Sequence, residues 1–451
     1  MQATLFKEIV DLAPRKYLSN TVTNTARNKQ LQSVCLFSSA GIGELGVAAS
    51  GIEILIANEL VPYRVALYRE NFRTGEVLEG DINALRENII VEAKKRTTAE
   101  DLFLVYATPP CQGMSTNGMG RLKWEISQGR RKEEDERNRL IIPTLDVITA
   151  MRPRWVLLEN VPGMRDTEIR VKDGHYENVI SYITNRLGPD YVGRAEVVAC
   201  QDYGIPQRRR RLITIFTRDQ RGKQYFKNNG GTFFCPEMRE PTKSLRDAIY
   251  GLPPLDASPG KNADLLFHPQ HYVPVLKPKK YWWVENTKEG QTAFNNQCIS
   301  PGCGYSGNPG HRDIVVDGKS VSSKEIPIHC SKCGNLLPRP TVQTEEGGVR
   351  LLKGFHSAYR RMVWDEPART LTQNFIYEAS DNKIHPEQNR VLSIYEAMIL
   401  QTIDRYQYQF SVGGKDIGPA RIAEVIGESV PPYLIEKICQ MMIRVSFDVT
   451  V

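Results

Sequence analysis

The sequence predicts an α/β protein: a doubly wound domain of the nucleotide-binding type, interrupted by a second, smaller domain. Three observations lead to it. Four short apolar runs, Val34-Cys35-Leu36-Phe37, Ile54-Leu55-Ile56-Ala57, Leu102-Phe103-Leu104-Val105 and Trp155-Val156-Leu157-Leu158, are free of charge and bounded by turn formers, so they read as buried strands. Each run leads into a loop of polar or reactive side chains, which is where open α/β sheets hold their ligands. Between Thr217 and His356 this rhythm lapses, the chain turns rich in Pro, Gly and Asn, and a domain of different construction is expected.

A chain of 451 residues has room for roughly two to three domains. Its formal charge of +7 permits a polyanionic partner without demanding one. Basic runs stand at Arg130-Arg131-Lys132, Arg208-Arg209-Arg210-Arg211, Lys277-Pro278-Lys279-Lys280 and Arg360-Arg361, and any one of them alone is more often a solvated surface than a phosphate contact. No stretch approaches the length of a membrane span, and the N-terminus lacks a signal-peptide core, so a cytosolic chain without a membrane partner is expected. Nine cysteines without an export signal favour metal or catalytic roles over a disulfide framework.

In chain order, residues 1–30 form a mixed, polar arm that reveals no chemistry. The strand at 34–37 enters a small-residue turn, Ser38-Ser39-Ala40-Gly41-Ile42-Gly43-Glu44, and then the helix-like segment from Leu45 to Ser50. Small side chains at such a turn allow a ligand close to the backbone. The next strand ends in Asn58-Glu59, the spacing at which an acidic side chain bonds a ribose, and a third segment ends in Gly80-Asp81-Ile82. Gly41, Glu59 and Asp81 together sketch an adenosyl site rather than a phosphate site, since no Lys-Ser/Thr pair follows the glycines.

The third strand delivers Pro109-Pro110-Cys111-Gln112-Gly113-Met114-Ser115. Two prolines before Cys111 and a glycine after it suit neither ladder nor helix, so this thiol is a candidate nucleophile rather than a core residue. The polar, glycine-containing stretch from Gly113 to Arg137 has the composition of a lid. A helix with apolar positions Leu140, Ile141, Leu145, Ile148 and Met151 stops at Arg152-Pro153, and the fourth strand then presents Glu159 at its end, as Cys111 is presented. Strand alternation puts Arg209 and Arg211 on one face and Arg208 and Arg210 on the other. Such a pair suits an anionic or carbonyl-bearing ligand, or equally a charged edge strand.

In the middle of the chain lie Cys298 and Cys303, with four residues between them, and Cys330 and Cys333, with two between, each second cysteine followed by glycine. This is the form of a zinc ribbon with four thiolate ligands, a closed and therefore structural site. His311 and His329 are spare ligands nearby.

Phe37 to Gly43, Pro110-Cys111-Gln112, Glu159-Asn160-Val161, Gln207-x-Arg209-x-Arg211 and Gly427-Glu428-Ser429-Val430-Pro431 resemble, in that order, the motifs of the C5-cytosine DNA methyltransferases. Arg361 with Pro367-Ala368-Arg369-Thr370-Leu371-Thr372, and His385-Pro386 through Arg390 to Leu400-Gln401-Thr402, extend the match. The resemblance covers about residues 31–218 and 355–440. It implies a Rossmann-like S-adenosylmethionine-dependent domain at 31–218, completed by 392–451, with a target-recognition domain at 219–391 that contains the ribbon at about 298–333.

The resemblance implies that Cys111, assisted by Gln112, adds to C6 of a flipped cytosine, and that C5 of the resulting enamine takes the methyl group. Glu159 would hold or protonate N3, and Arg209 would bind O2 and favour the thiolate, with Arg211 beside it. Phe37, Ser39, Ala40, Gly41, Glu59, Leu60, Asp81, Ile82, Pro110, Leu140, Glu428 and Ser429 would surround the cofactor, while Ser115, Asn117 and Arg137 would touch DNA from the lid. Two departures stand near the cofactor: Ser39 replaces the first glycine of the usual turn, and Glu428 replaces an asparagine. The partner is double-stranded DNA, and by analogy a separate restriction endonuclease, with the chain acting as a monomer. Two other readings share these motifs, an RNA cytosine methyltransferase and a non-catalytic DNA-binding relative. The large insert favours DNA over RNA, and the intact Cys111, Glu159 and Arg209 favour an enzyme.

Overall fold

A computed structural model describes residues 31–73, 75–110, 136–171, 174–311, 313–316, 319–322, 326–352, 357–380 and 382–447. Seven strands form the central sheet: β1 (Gln32–Leu36), β2 (Glu53–Glu59), β3 (Glu76–Glu79), β4 (Leu104–Ala107), β5 (Trp155–Asn160), β6 (Val192–Ala199) and β7 (Arg210–Thr217). Their order across the sheet is β3-β2-β1-β4-β5-β7-β6. The first five are parallel, and β7 runs antiparallel to both of its neighbours. The chain winds outward in one direction from β1 and in the other from β4, so the crevice at their carboxyl ends is the switch point where such sheets bind ligands.

All five residues of β1 are buried, because helices cover both faces of the sheet and leave no polar side for the pleat. Alternation divides the strand residues between two cores. Val34, Leu36, Ile56, Val105 and Leu158 face helices α3 (Ile82–Arg96), α4 (Ile141–Met151) and α5 (Val179–Leu187). Cys35, Tyr106, Trp155, Leu157 and Ile213 face α1 (Glu44–Ala49), α6 (Gln220–Asn228) and the C-terminal α11 (Pro432–Phe447). The last helix returns across the whole chain to this core, where Trp155 Nε1 donates to Ser446 Oγ at 2.9 Å. Gly46 on α1 permits that approach, since a Cβ there would stand 2.2 Å from the Pro432 carbonyl oxygen.

A boundary drawn at residue 219 falls inside this domain. Phe226, Phe233, Cys235 and Met238 pack with Trp155, Ile215 and Leu434 in the second of these cores, so the segment through Met238 belongs to the sheet. Composition misses this because the aromatic residues are scattered along a polar, glycine-containing stretch.

Beyond it, α7 (Leu245–Ile249) and α8 (Pro278–Glu285) are the helices of a region with little regular structure. Leu276, Trp283, Val284, Phe294, Tyr359 and Ile384 form its own small core. Buried carbonyls without a ladder need other donors. Arg361 supplies five bonds, to the carbonyls of Thr287, Val284, His385 and Gln388 and to Asn389 Oδ1. A third apolar cluster joins the parts: Ala40, Ile42 and Leu45 from the turn after β1 pack with Leu371, Phe375, α9 (Ile394–Leu400) and α10 (Pro419–Glu428). No helix of the described residues is long and apolar enough to cross a membrane.

Candidate active site

The turn after β1 is shaped by backbone conformations that side chains rarely adopt. Phe37, Ser39 and Gly41 have φ of 59°, 49° and 81°, and for a non-glycine residue the left-handed region costs about 1–2 kcal/mol. Glu59, at the end of β2, holds the turn in place. Its Oε2 accepts from Ser39 N at 2.8 Å and its Oε1 from Val61 N at 2.9 Å. Gly41 is required for a reason internal to the fold, since a Cβ would lie 2.3 Å from the Phe72 ring and 2.9 Å from Tyr68. It makes room for these aromatic side chains, and the sequence reading had it make room for a ligand.

Around this turn the predicted cofactor residues divide into two groups. Phe37 and Leu140 are partly buried against one cluster, Leu60 is 61% exposed at the mouth, and Asp81 caps α3 by accepting from Asn83 N at 2.8 Å. Pro110 follows Pro109, whose carbonyl accepts from Asn160 Nδ2 at 2.9 Å. Ala40 and Ile82 are 1% and 2% exposed and belong to the cores, so their side chains meet their own chain and only their backbone is available to a ligand. The hydroxyl of Ser39 is buried without a partner among the described residues, and that of Ser38 lies beside the Glu44 carboxyl.

Glu159, at the end of β5, is buried and lies against Arg211, whose Nε stands 2.7 Å from its Oε1. Burial pushes the Glu159 carboxyl above the usual carboxylate range, against the lowering pull of Arg211 and Arg209. Arg209 is differently placed from what the sequence implied. It is fully buried, and its guanidinium donates to the carbonyls of Leu371 (2.9 Å), Gly427 (3.0 Å) and Ser429 (2.6 Å). Arg209 therefore ties the start of β7 to the segment around Leu371 and to the end of α10 and the residue after it, and the arginine beside the carboxyl group is Arg211. Desolvation lowers the Arg209 guanidinium to about 9. Alternation along the segment put both arginines inward and could not tell which faced the carboxyl.

Cys111, Gln112, Ser115 and Asn117 lie outside the described residues, as does most of the stretch read as a lid. Arg137 lies within a short 3-10 turn, Glu136–Leu140, that leads into α4. Glu428 forms an ion pair with Arg64 Nη2 at 2.7 Å, and the same arginine contacts Glu424. Burial raises the Glu428 carboxyl, with the nearby charges of Glu424 and Glu59 adding to the effect. Ser429 Oγ and its carbonyl both accept from Gln401 Nε2 at 2.8 Å.

Sequence reasoning missed three participants. Gln207 Nε2 donates to Gln401 Oε1 at 2.8 Å while its Oε1 accepts from Leu371 N at 3.0 Å, completing the network that Arg209 begins. Arg64 carried no signal beyond being a basic residue five positions after Glu59. Glu44 is 2% exposed behind the turn; an acidic residue inside an otherwise small, apolar motif was the available clue.

Far from this crevice the four predicted thiols come together. The sulfur atoms of Cys298, Cys303, Cys330 and Cys333 all lie within 4.8 Å of one another. Cys298 and Cys333 are 3.6 Å apart, and Cys303 and Cys330 are 3.9 Å apart. A tetrahedron with Zn–S bonds of about 2.3 Å has edges of about 3.8 Å, so the set is spaced to hold a tetrathiolate metal. Lys332 N and Asn308 Nδ2 point donors at the Cys330 sulfur, at 3.4 and 3.8 Å, the kind of outer contact that steadies a thiolate ligand.

Residues 31–444 match the family of C-5 cytosine-specific DNA methylases. The type II methyltransferase M1.HgaI of Avibacterium volantium is 28% identical over 420 residues, 91% of this chain and 97% of that protein. M.AgeI of Thalassovita gelatinovora, also a type II methyltransferase, is 25% identical over 466 residues, 90% of this chain and 97% of its own. Among solved structures, a protein encoded within an E. coli prophage covers 92% of this chain and 99% of its own with a TM-score of 0.56 at 18% identity, a likeness of fold.

Proposed function

The chain belongs to the C-5 cytosine-specific DNA methylases, and from that premise we propose that it methylates C5 of a cytosine flipped out of a specific duplex DNA sequence, as the modification enzyme of a restriction system. The restriction context is supported by the type II relatives that match nearly its whole length. The observation that carries the chemistry is the buried Glu159–Arg211 pair at the carboxyl end of β5, beside the loop that delivers Pro109 and Pro110.

The crevice suits an adenosyl ligand. Partly buried Phe37 and Leu140 offer apolar surface, Glu59 and Asp81 offer carboxylate oxygens, and the unpartnered hydroxyl of Ser39 offers a further polar contact. When bound, S-adenosylmethionine supplies an activated methyl group. The Cys111 thiolate forms a bond to C6 of the cytosine, which makes C5 nucleophilic. Glu159 acts at N3. With Oε1 committed to Arg211, its Oε2 is the oxygen available to the base, and burial, by raising the carboxyl's pKa, makes protonation at this position easier as charge develops on the ring. Arg211 spends Nε on Glu159 and Nη1 on the Arg210 carbonyl, leaving Nη2 for the base oxygen O2. After the methyl group arrives, loss of the C5 proton reforms the ring double bond and expels the thiolate.

The four cysteines bind one Zn²⁺ in this reading, and the ion replaces a hydrophobic core for a segment that has almost none. The test of the whole is to express the chain and a Cys111→Ser variant in cells lacking cytosine methylation and to map 5-methylcytosine. The wild type should modify one short sequence and the variant none. Equal modification by both, or none by the wild type, would overturn the mechanism.

A further inference from the structure

We propose that a cavity at the joint between the sheet and the recognition region is a phosphodiester site, in which Arg369 and Arg360 hold a backbone phosphate of the DNA substrate; this rests on the DNA reading above. The cavity has a volume of about 190 Å³ and is walled by Arg360, Arg361 and Arg369, with Glu366, Met362 and Gly290. The lining carries more positive than negative charge, an excess that a bound anion would offset.

The nearby carboxylate does not fill that role. Glu366 is already engaged, its Oε2 standing 3.0 Å from Arg208 Nη1. Arg361 contributes charge alone, since its donors are spent on carbonyls and Asn389. Arg360 commits Nη1 to the Gly290 carbonyl at 2.9 Å. Arg369 is exposed, and its side chain makes no hydrogen bond or ion pair with the described residues. A ligand with a single delocalised charge and several acceptor oxygens matches two partly free guanidinium forks.

Position argues for DNA as the source of that phosphate. Ala368 and Arg369 pair in parallel with Gln207 and Arg208, and Thr370 Oγ1 donates to the Arg208 carbonyl at 2.7 Å. Leu371 N bonds Gln207 Oε1 at 3.0 Å. Through these bonds the cavity is rigidly coupled to the segment that carries Arg211, three residues beyond Arg208. In this proposal the phosphate belongs to the DNA substrate, whose backbone has to be held while a base is extruded.

The experiment measures binding of a duplex containing the methylated site and of an unrelated duplex, across a range of salt concentrations, for the wild type, Arg369→Gln and Glu366→Gln. Arg369→Gln should weaken binding to both duplexes by the same several-fold factor and flatten the slope of log affinity against log salt by about 0.9, the value of one phosphate contact. Glu366→Gln should act in the opposite direction, tightening both. Unchanged binding of S-adenosylhomocysteine by each variant establishes that the fold is intact. An unaltered slope in Arg369→Gln, or a loss confined to the methylated sequence, would overturn the phosphate site while leaving the methyltransferase reading in place. A wild type that binds neither duplex would overturn both.

Discussion

Arg209 and Arg211 share a motif, a charge and a face, yet one is fully buried against three carbonyls and the other pairs with Glu159. Removing Arg209 strands those carbonyls, each at a cost of about 1–3 kcal/mol. Arg209→Ala should therefore lower the unfolding midpoint clearly, with turnover per folded molecule much less affected. Arg211→Ala should keep the wild-type melting temperature and lose about 10²-fold or more in kcat, the effect of removing a donor aimed at developing charge. Thermal unfolding and single-turnover methyl transfer on both variants check this, and a stable but inactive Arg209→Ala would reverse the two roles.

At the level of elements, the strands of the sheet declare themselves by composition, whereas the recognition region does so only by its cysteines. Its apolar cluster at the ribbon consists of Cys298, Cys330 and Leu337, with Cys303 packed against them. So small a core leaves little apolar burial to order the surrounding loops, and in the proposed reading metal binding supplies the folding energy. The protein as purified should contain about one zinc per chain. Replacing Cys330 and Cys333 together with serine should remove it and raise amide exchange across residues 298–337, while exchange in β1, β4 and β5 stays slow. A wild type without zinc, or a variant that keeps its protection, would dismiss the ribbon. The same scale explains why the boundary at 219 was misplaced: α6 and the aromatic residues after it look polar in sequence and gain their meaning only by facing Trp155 and Leu434.

Over the whole molecule, the turn at the cofactor crevice is the keystone of three cores, and Glu44 lies directly behind it. Burial pushes this carboxyl up to about 7 from an ordinary value near 4.5. The folded chain thus keeps a proton that the unfolded chain releases, and the resulting stabilisation is complete below about pH 4.5 and lost as pH rises to about 7. The loss is on the order of 3 kcal/mol at 1.36 kcal/mol per pKa unit. Chemical denaturation of Glu44→Gln at pH 5 and pH 8 should show the variant gaining stability relative to wild type at the higher pH, and an identical pH dependence in both proteins would place the buried charge elsewhere. The sheet and the family are legible in the amino-acid sequence, because buried parallel strands leave apolar runs and the family's motifs stand at their ends. Which of two like arginines meets the carboxyl group, how far along the chain the sheet's core extends, and which arginines keep free donors at the cavity follow from folding alone. Each depends on partners far apart along the chain, Glu159 for Arg211, Trp155 for Phe233, and Leu371 and Gly427 for Arg209, and no local pattern encodes such a contact.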